Sequence, residues 1–107
     1  MYEGVTVTIG GENYIVPPLN FKQLRAFKPK LARLGKDQAG DLTEEQMDIM
    51  SEVIHAALTR NYPDLTRERI EEMLDLGNIG RIFKAAMNAS GLEQQQGEAK
   101  PRPEETS

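Results

Sequence analysis

The sequence predicts an α+β fold, with an N-terminal β-hairpin packed on a bundle of three to five short α-helices and a disordered C-terminal tail. Three observations predict it. Residues 5–9, Val-Thr-Val-Thr-Ile, alternate apolar and polar side chains with the period of a half-buried strand. From Phe21 onward, apolar residues instead recur at spacings of three and four, the mark of one buried helical stripe. The length, 107 residues, suits one domain. The expected folded unit is residues 1–91, with the hairpin in 1–17 and helices in 20–91; the expected tail is 92–107.

The elements follow in order. Gly10-Gly11 supplies the positive φ angles of a tight turn, and Asn13 to Val16 returns as the second strand, with Glu12 either pairing or lengthening the loop. Pro17-Pro18 ends the ladder, because proline has no N–H to donate. A two-stranded ribbon is marginal alone, so its Val5, Val7, Ile9 face must pack on helices.

Asn20 is a good N-cap for a helix carrying Phe21, Leu24, Phe27, Leu31 and Leu34 on one side. Pro29 interrupts that pattern. Either the helix kinks there, or it ends near Phe27 and a new one starts with Pro29 in its first turn; the second reading is preferred. A loop from Gly35 to Gly40 closes this region.

Thr43-Glu44-Glu45-Gln46 is a capping box that opens the longest helix, over about 44–60. Its expected buried face is Met47, Met50, Ile54, Ala57 and Leu58, with Val53 beside it and Ile49 off the stripe. Tyr62-Pro63-Asp64 breaks that helix. Thr66 then caps a short helix, Gly77 is expected as its left-handed C-cap, and Asn78 as the N-cap of a last helix. Apolar residues at Ile70, Met73, Leu74 and at Ile79, Ile82, Phe83, Ala86, Met87 give both a buried stripe. From Glu93 nothing is large and apolar, so nothing offsets the entropy of ordering.

Composition narrows the function. There is no cysteine, hence no disulfide and no thiolate metal site. No apolar run approaches the ~18 residues of a membrane span and the first residues form no signal peptide, so a cytoplasmic protein is expected. A net charge of −4 argues against a constitutive nucleic-acid binder.

Chemistry-bearing residues are sparse. His55 is the single histidine, and only Asp48, Glu52 or Thr59 lie at helical spacing from it, too few for a metal site. With no cysteine and no second histidine, a histidine-based triad is not expected. Asp41, Glu44 and Glu45 stand before or within the first turn of the long helix, where the dipole favours negative charge without any catalytic role. No enzymatic activity, cofactor or metal is expected.

Between Asn20 and Lys36 there are six basic residues and no acidic one. If the helix is continuous, Lys22, Arg25, Arg33 and Lys36 share roughly one stripe. Two readings stand: a solvated face balancing the acidic long helix, or a docking surface for an acidic partner or nucleic acid. Ile79, Phe83 and Met87 are the candidates for lining an apolar groove, within helices rich in adaptable methionine. Residues 66–90 also admit a helix-turn-helix reading with Arg81, Lys84 and Asn88 facing DNA. Glu68, Glu71, Glu72 and Asp75 on its first helix would repel phosphates.

The N-terminal VTVTIGGENYIVPPLNFKQLRAF, taken with the closing NYPDLTRERIEEMLDLGN, resembles the small tail assembly chaperones of long-tailed, non-contractile bacteriophages and their prophages. The resemblance covers residues 5 to about 91. It implies a non-enzymatic factor of the bacterial host cytoplasm that coats the helical tape-measure protein during tail assembly. It also implies a possible second partner, the tail-tube protein, recruited by a frameshifted longer product. A small prophage DNA-binding regulator is the alternative. On the family reading, amphipathic helices of the tape measure would enter an apolar groove flanked by the basic residues of 22–36.

Overall fold

Two glycines in the left-handed region set the hairpin. Gly10 (φ +60°) and Gly11 (φ +84°) form the two-residue turn, and β1 (Val5–Ile9) pairs antiparallel with β2 (Glu12–Val16). Glu12 pairs with Ile9, so the loop has its shorter form. Val7 and Ile9 are buried and Val5 is half-buried, the inward face expected from the alternation. The computed structural model describes residues 1–34 and 42–92. Four helices follow in that range: α1 (Phe21–Leu34), α2 (Glu44–Leu58), α3 (Arg67–Met73) and α4 (Ile79–Ala89). The predicted Gly35–Gly40 loop, Lys36, and the predicted tail from residue 93 lie outside the described residues.

Side-chain caps explain where three helices start. Asn20 and Gln23 exchange bonds, Gln23 N–H to Asn20 Oδ1 (2.8 Å) and Asn20 N–H to Gln23 Oε1 (2.9 Å). Thr43 and Gln46 repeat the arrangement at α2 (3.0 and 2.8 Å), as the capping box predicts. Thr66 Oγ1 accepts from the Arg69 N–H (3.0 Å) at α3. The chain leaves α4 through Gly91 (φ +77°), with Gly91 N–H bonded to Asn88 O and Leu92 N–H to Met87 O. Those paired bonds form a Schellman motif.

α2 is the axis of the core. It packs against α1, α3, α4 and β2, while α4 covers β1. Val53, Ile54, Ala57 and Leu58 on α2 meet Ile70, Ile82, Ala86 and Val16, all at 0–1% exposure. Polar ties also pin the hairpin. The Ile15 N–H donates to Tyr62 Oη (2.9 Å), Asn61 Nδ2 donates to Tyr2 O and Ile15 O, and Tyr14 stacks edge-on against Tyr62.

Three expectations are corrected. α1 is continuous through Pro29 and does not break near Phe27. Pro29 is exposed, so water can satisfy the Arg25 carbonyl that loses its helical donor, while Leu31 and Leu34 hold the following turns on the core. Gly77 is not a left-handed cap: α3 ends at Met73, because Leu74 turns extended (φ −91°, ψ 146°). Ile49 is buried at 3% exposure whereas Met47 is half-buried, so the buried arc of α2 is wider than a single stripe.

Gly4 has a role that sequence patterning misses. A Cβ there would overlap the Val16 carbonyl and the Pro17 backbone. Gly4→Ala should therefore lower stability by about 1–3 kcal/mol, the usual cost of overpacking, read as an earlier urea midpoint at unchanged slope.

Candidate functional site

The residues that join α3 to α4 build one wall of a cleft. Asp75 and Asn78 clasp each other, Asp75 N–H to Asn78 Oδ1 (2.8 Å) and Asn78 N–H to Asp75 Oδ1 (2.9 Å). Asn78 Nδ2 also donates to the Met73 carbonyl (3.1 Å), replacing a partner lost when α3 stops. This clasp leaves Leu76 at the surface, 76% exposed. Across from it lies the N-terminal half of α2. Between them is a cleft of about 430 Å³, within the roughly 300–1,000 Å³ of ordinary binding clefts.

Its lining divides by chemistry. Met47, Leu74, Leu76 and Ile79 are apolar; Glu44, Asp48, Glu71 and Asp75 are acidic; Ser51 lies among them. Arg67 crosslinks the two sides. Its guanidinium donates to Asp48 Oδ1 (2.6 Å), Glu71 Oε2 (3.0 Å) and the hydroxyl of buried Ser51 (2.9 Å). Burial works against the Arg67 cation, yet the hydrogen bond and charge of Asp48, with Glu71 beyond, raise its pKa above the ordinary arginine value. One cation thus faces four carboxylates. Among the described residues, Glu44 and Asp75 have no ion-pair partner.

Of the predicted groove residues, Ile79 lines this cleft; Phe83 and Met87 do not, and lie half-buried against the core. The predicted basic residues are elsewhere. Lys22, Arg25 and Arg33 are exposed on α1, as their spacing on a continuous helix requires, and Lys36 lies outside the described residues. Arg33 is bonded to Glu45 (2.6 Å), and neighbouring Lys30 to Glu52 (2.9 Å), both on α2. Part of the basic run therefore balances the acidic helix inside the molecule. Arg25 stacks over exposed Phe21, 5.9 Å from the ring centroid.

Sequence reasoning missed Glu44, Asp48, Glu71, Asp75, Leu74 and Leu76 as one site. Two signals pointed to it: the uncompensated acidic run opening α2, and the apolar Leu76 within a polar connection. Neither indicates that α2 and the α3–α4 connection face each other. His55 is half-buried, with Nε2 3.2 Å from the Leu65 carbonyl, a tie between α2 and the approach to α3. Among the described residues, no three histidine or carboxylate side chains are grouped to hold a metal ion, and no helix is long and apolar enough to cross a membrane.

Comparison with known proteins returns no matching family model, no curated relative and no similar solved structure.

Proposed function

We propose that this chain is a non-enzymatic tail assembly chaperone of a long-tailed phage or prophage, working in the host cytoplasm on the helical tape-measure protein. The resemblance of VTVTIGGENYIVPPLNFKQLRAF and NYPDLTRERIEEMLDLGN to that family supports the assignment. The observation that carries the mechanism is the open cleft with Leu76 at its lip and Met47, Leu74 and Ile79 in its lining. A cleft with these four apolar side chains among its acidic ones suits the apolar face of a partner helix, which would otherwise drive aggregation. Each contact is weak, and many copies along one long partner gain strength through effective concentration. The tail-tube protein is a second partner on this reading.

Co-expression tests it. The neighbouring tape-measure protein should stay soluble with this chain and aggregate without it. Leu76→Asp places a charge on the lip without touching the core, so it should abolish protection while the thermal midpoint stays within a degree or two. Equal aggregation with and without the wild-type chain would refute the proposal.

A further inference from the structure

We infer that the cleft between α2 and the α3–α4 connection selects cationic amphipathic helices, those carrying lysine or arginine on both flanks of their apolar stripe. This rests on the reading that the protein captures helical segments, and it adds the chemistry by which it chooses among them.

The placement of charge carries the inference. Glu44 stands in the first turn of α2, on one side of the cleft; Asp75 stands after α3, on the other. Asp48 and Glu71 already share Arg67, whereas Glu44 and Asp75 have no cationic partner among the described residues. The two available carboxylates therefore straddle the apolar lining. A helix seating leucine-sized anchors at i, i+3 or i+4, and i+7 projects its flanking positions toward these sides. Lysine or arginine there meets Glu44 and Asp75. Glutamate there meets like charge beside an apolar surface, where screening is weaker than in bulk water. The same rim disfavours phosphate backbones.

The occupant this chemistry excludes is as informative as the one it admits. An acidic segment fits the basic α1 surface by charge, but Arg33 and Lys30 are already engaged by α2. Lys22, Arg25 and Lys28 on α1 have no ion-pair partner among the described residues either, so charge alone does not choose between the surfaces; the cleft adds the apolar side chains of Met47, Leu74, Leu76 and Ile79 beside its carboxylates.

The test uses the full chain and three labelled peptides of about 18 residues, five helical turns. They share one leucine register and differ only in flanks of lysine, glutamine or glutamate. Fluorescence anisotropy should rank lysine above glutamine above glutamate, with the lysine peptide about tenfold tighter than glutamine at low salt and the gap shrinking at about 0.5 M salt. Glu44→Lys should weaken the lysine peptide about tenfold and strengthen the glutamate peptide. Glu68→Lys, the same charge change on exposed α3 surface outside the cleft, should change either by less than about twofold. Circular dichroism confirms that both variants fold. Equal affinity for all three peptides, or equal losses at Glu44 and Glu68, would overturn the inference. So would concentration-dependent self-association that Glu44→Lys abolishes, since a second copy would then own the cleft. Tape-measure protection without a peptide ranking rejects the charge selection and leaves the chaperone reading standing. A peptide ranking without protection does the reverse.

Discussion

Val7→Asp is expected to destabilise the protein by about 3–5 kcal/mol, a large share of the usual 5–15 kcal/mol of a small domain. Val7 is 6% exposed on the inner face of β1, with α4 packed over the strand. Its cross-strand neighbour is Tyr14, whose ring in turn meets Tyr62. A carboxylate placed there must either stay charged in an apolar site or take up a proton. Thr8, one residue on, is exposed, and its hydroxyl bonds Asn13 at the surface (2.7 Å). Thr8→Asp should cost less than about 1 kcal/mol. Urea denaturation of the two variants gives the comparison directly. If Thr8→Asp were the more damaging, the strand would present its other face to the helices.

Pro29→Ala should stabilise the protein by about 2 kcal/mol. Proline in a helix interior is about 3 kcal/mol less favourable than alanine, because it removes a donor and crowds the preceding turn. Alanine gives back roughly 0.4–1 kcal/mol by loosening the unfolded chain. Pro29 lies in the middle of α1 and is exposed, so no packing is lost with the ring. The gain should appear as a later urea midpoint and, for a folded unit of this size, a thermal midpoint higher by roughly 8–16 °C. No change, or a loss, would mean that the local chain at Pro29 is not under helical strain.

What was legible in the sequence was whatever local chemistry decides. The hairpin turn is dictated by Gly10-Gly11, and the starts of α1, α2 and α3 by Asn20, Thr43 and Thr66, whose side chains satisfy orphan N–H groups within three residues. What was misjudged depends on distant partners. Pro29 predicts a break by its own covalent structure, yet Leu31, Leu34 and the Lys30–Glu52 pair hold the helix against α2 beyond it. Gly77 suits a left-handed cap, but the Asp75–Asn78 clasp turns the chain without one. The candidate site was the least legible part. Its carboxylates come from α2, α3 and the connection after it, and only packing brings them to one cleft. Lys22, Arg25 and Arg33 of the basic stripe stand exposed on α1, and the Arg33–Glu45 and Lys30–Glu52 pairs follow the reading in which this run balances the acidic long helix; which carboxylate meets which cation was not legible.

The measurement that bears most directly on the central claim is amide hydrogen exchange of this chain, alone and bound to a soluble tape-measure fragment. Exchange reports local opening, and a seated helix suppresses it where it docks. Exchange should slow in the first half of α2, residues 44–51, and in residues 71–79, with α1 from 22 to 33 unchanged. Protection confined to α1, or a complex that forms with no change at either wall of the cleft, would contradict that claim.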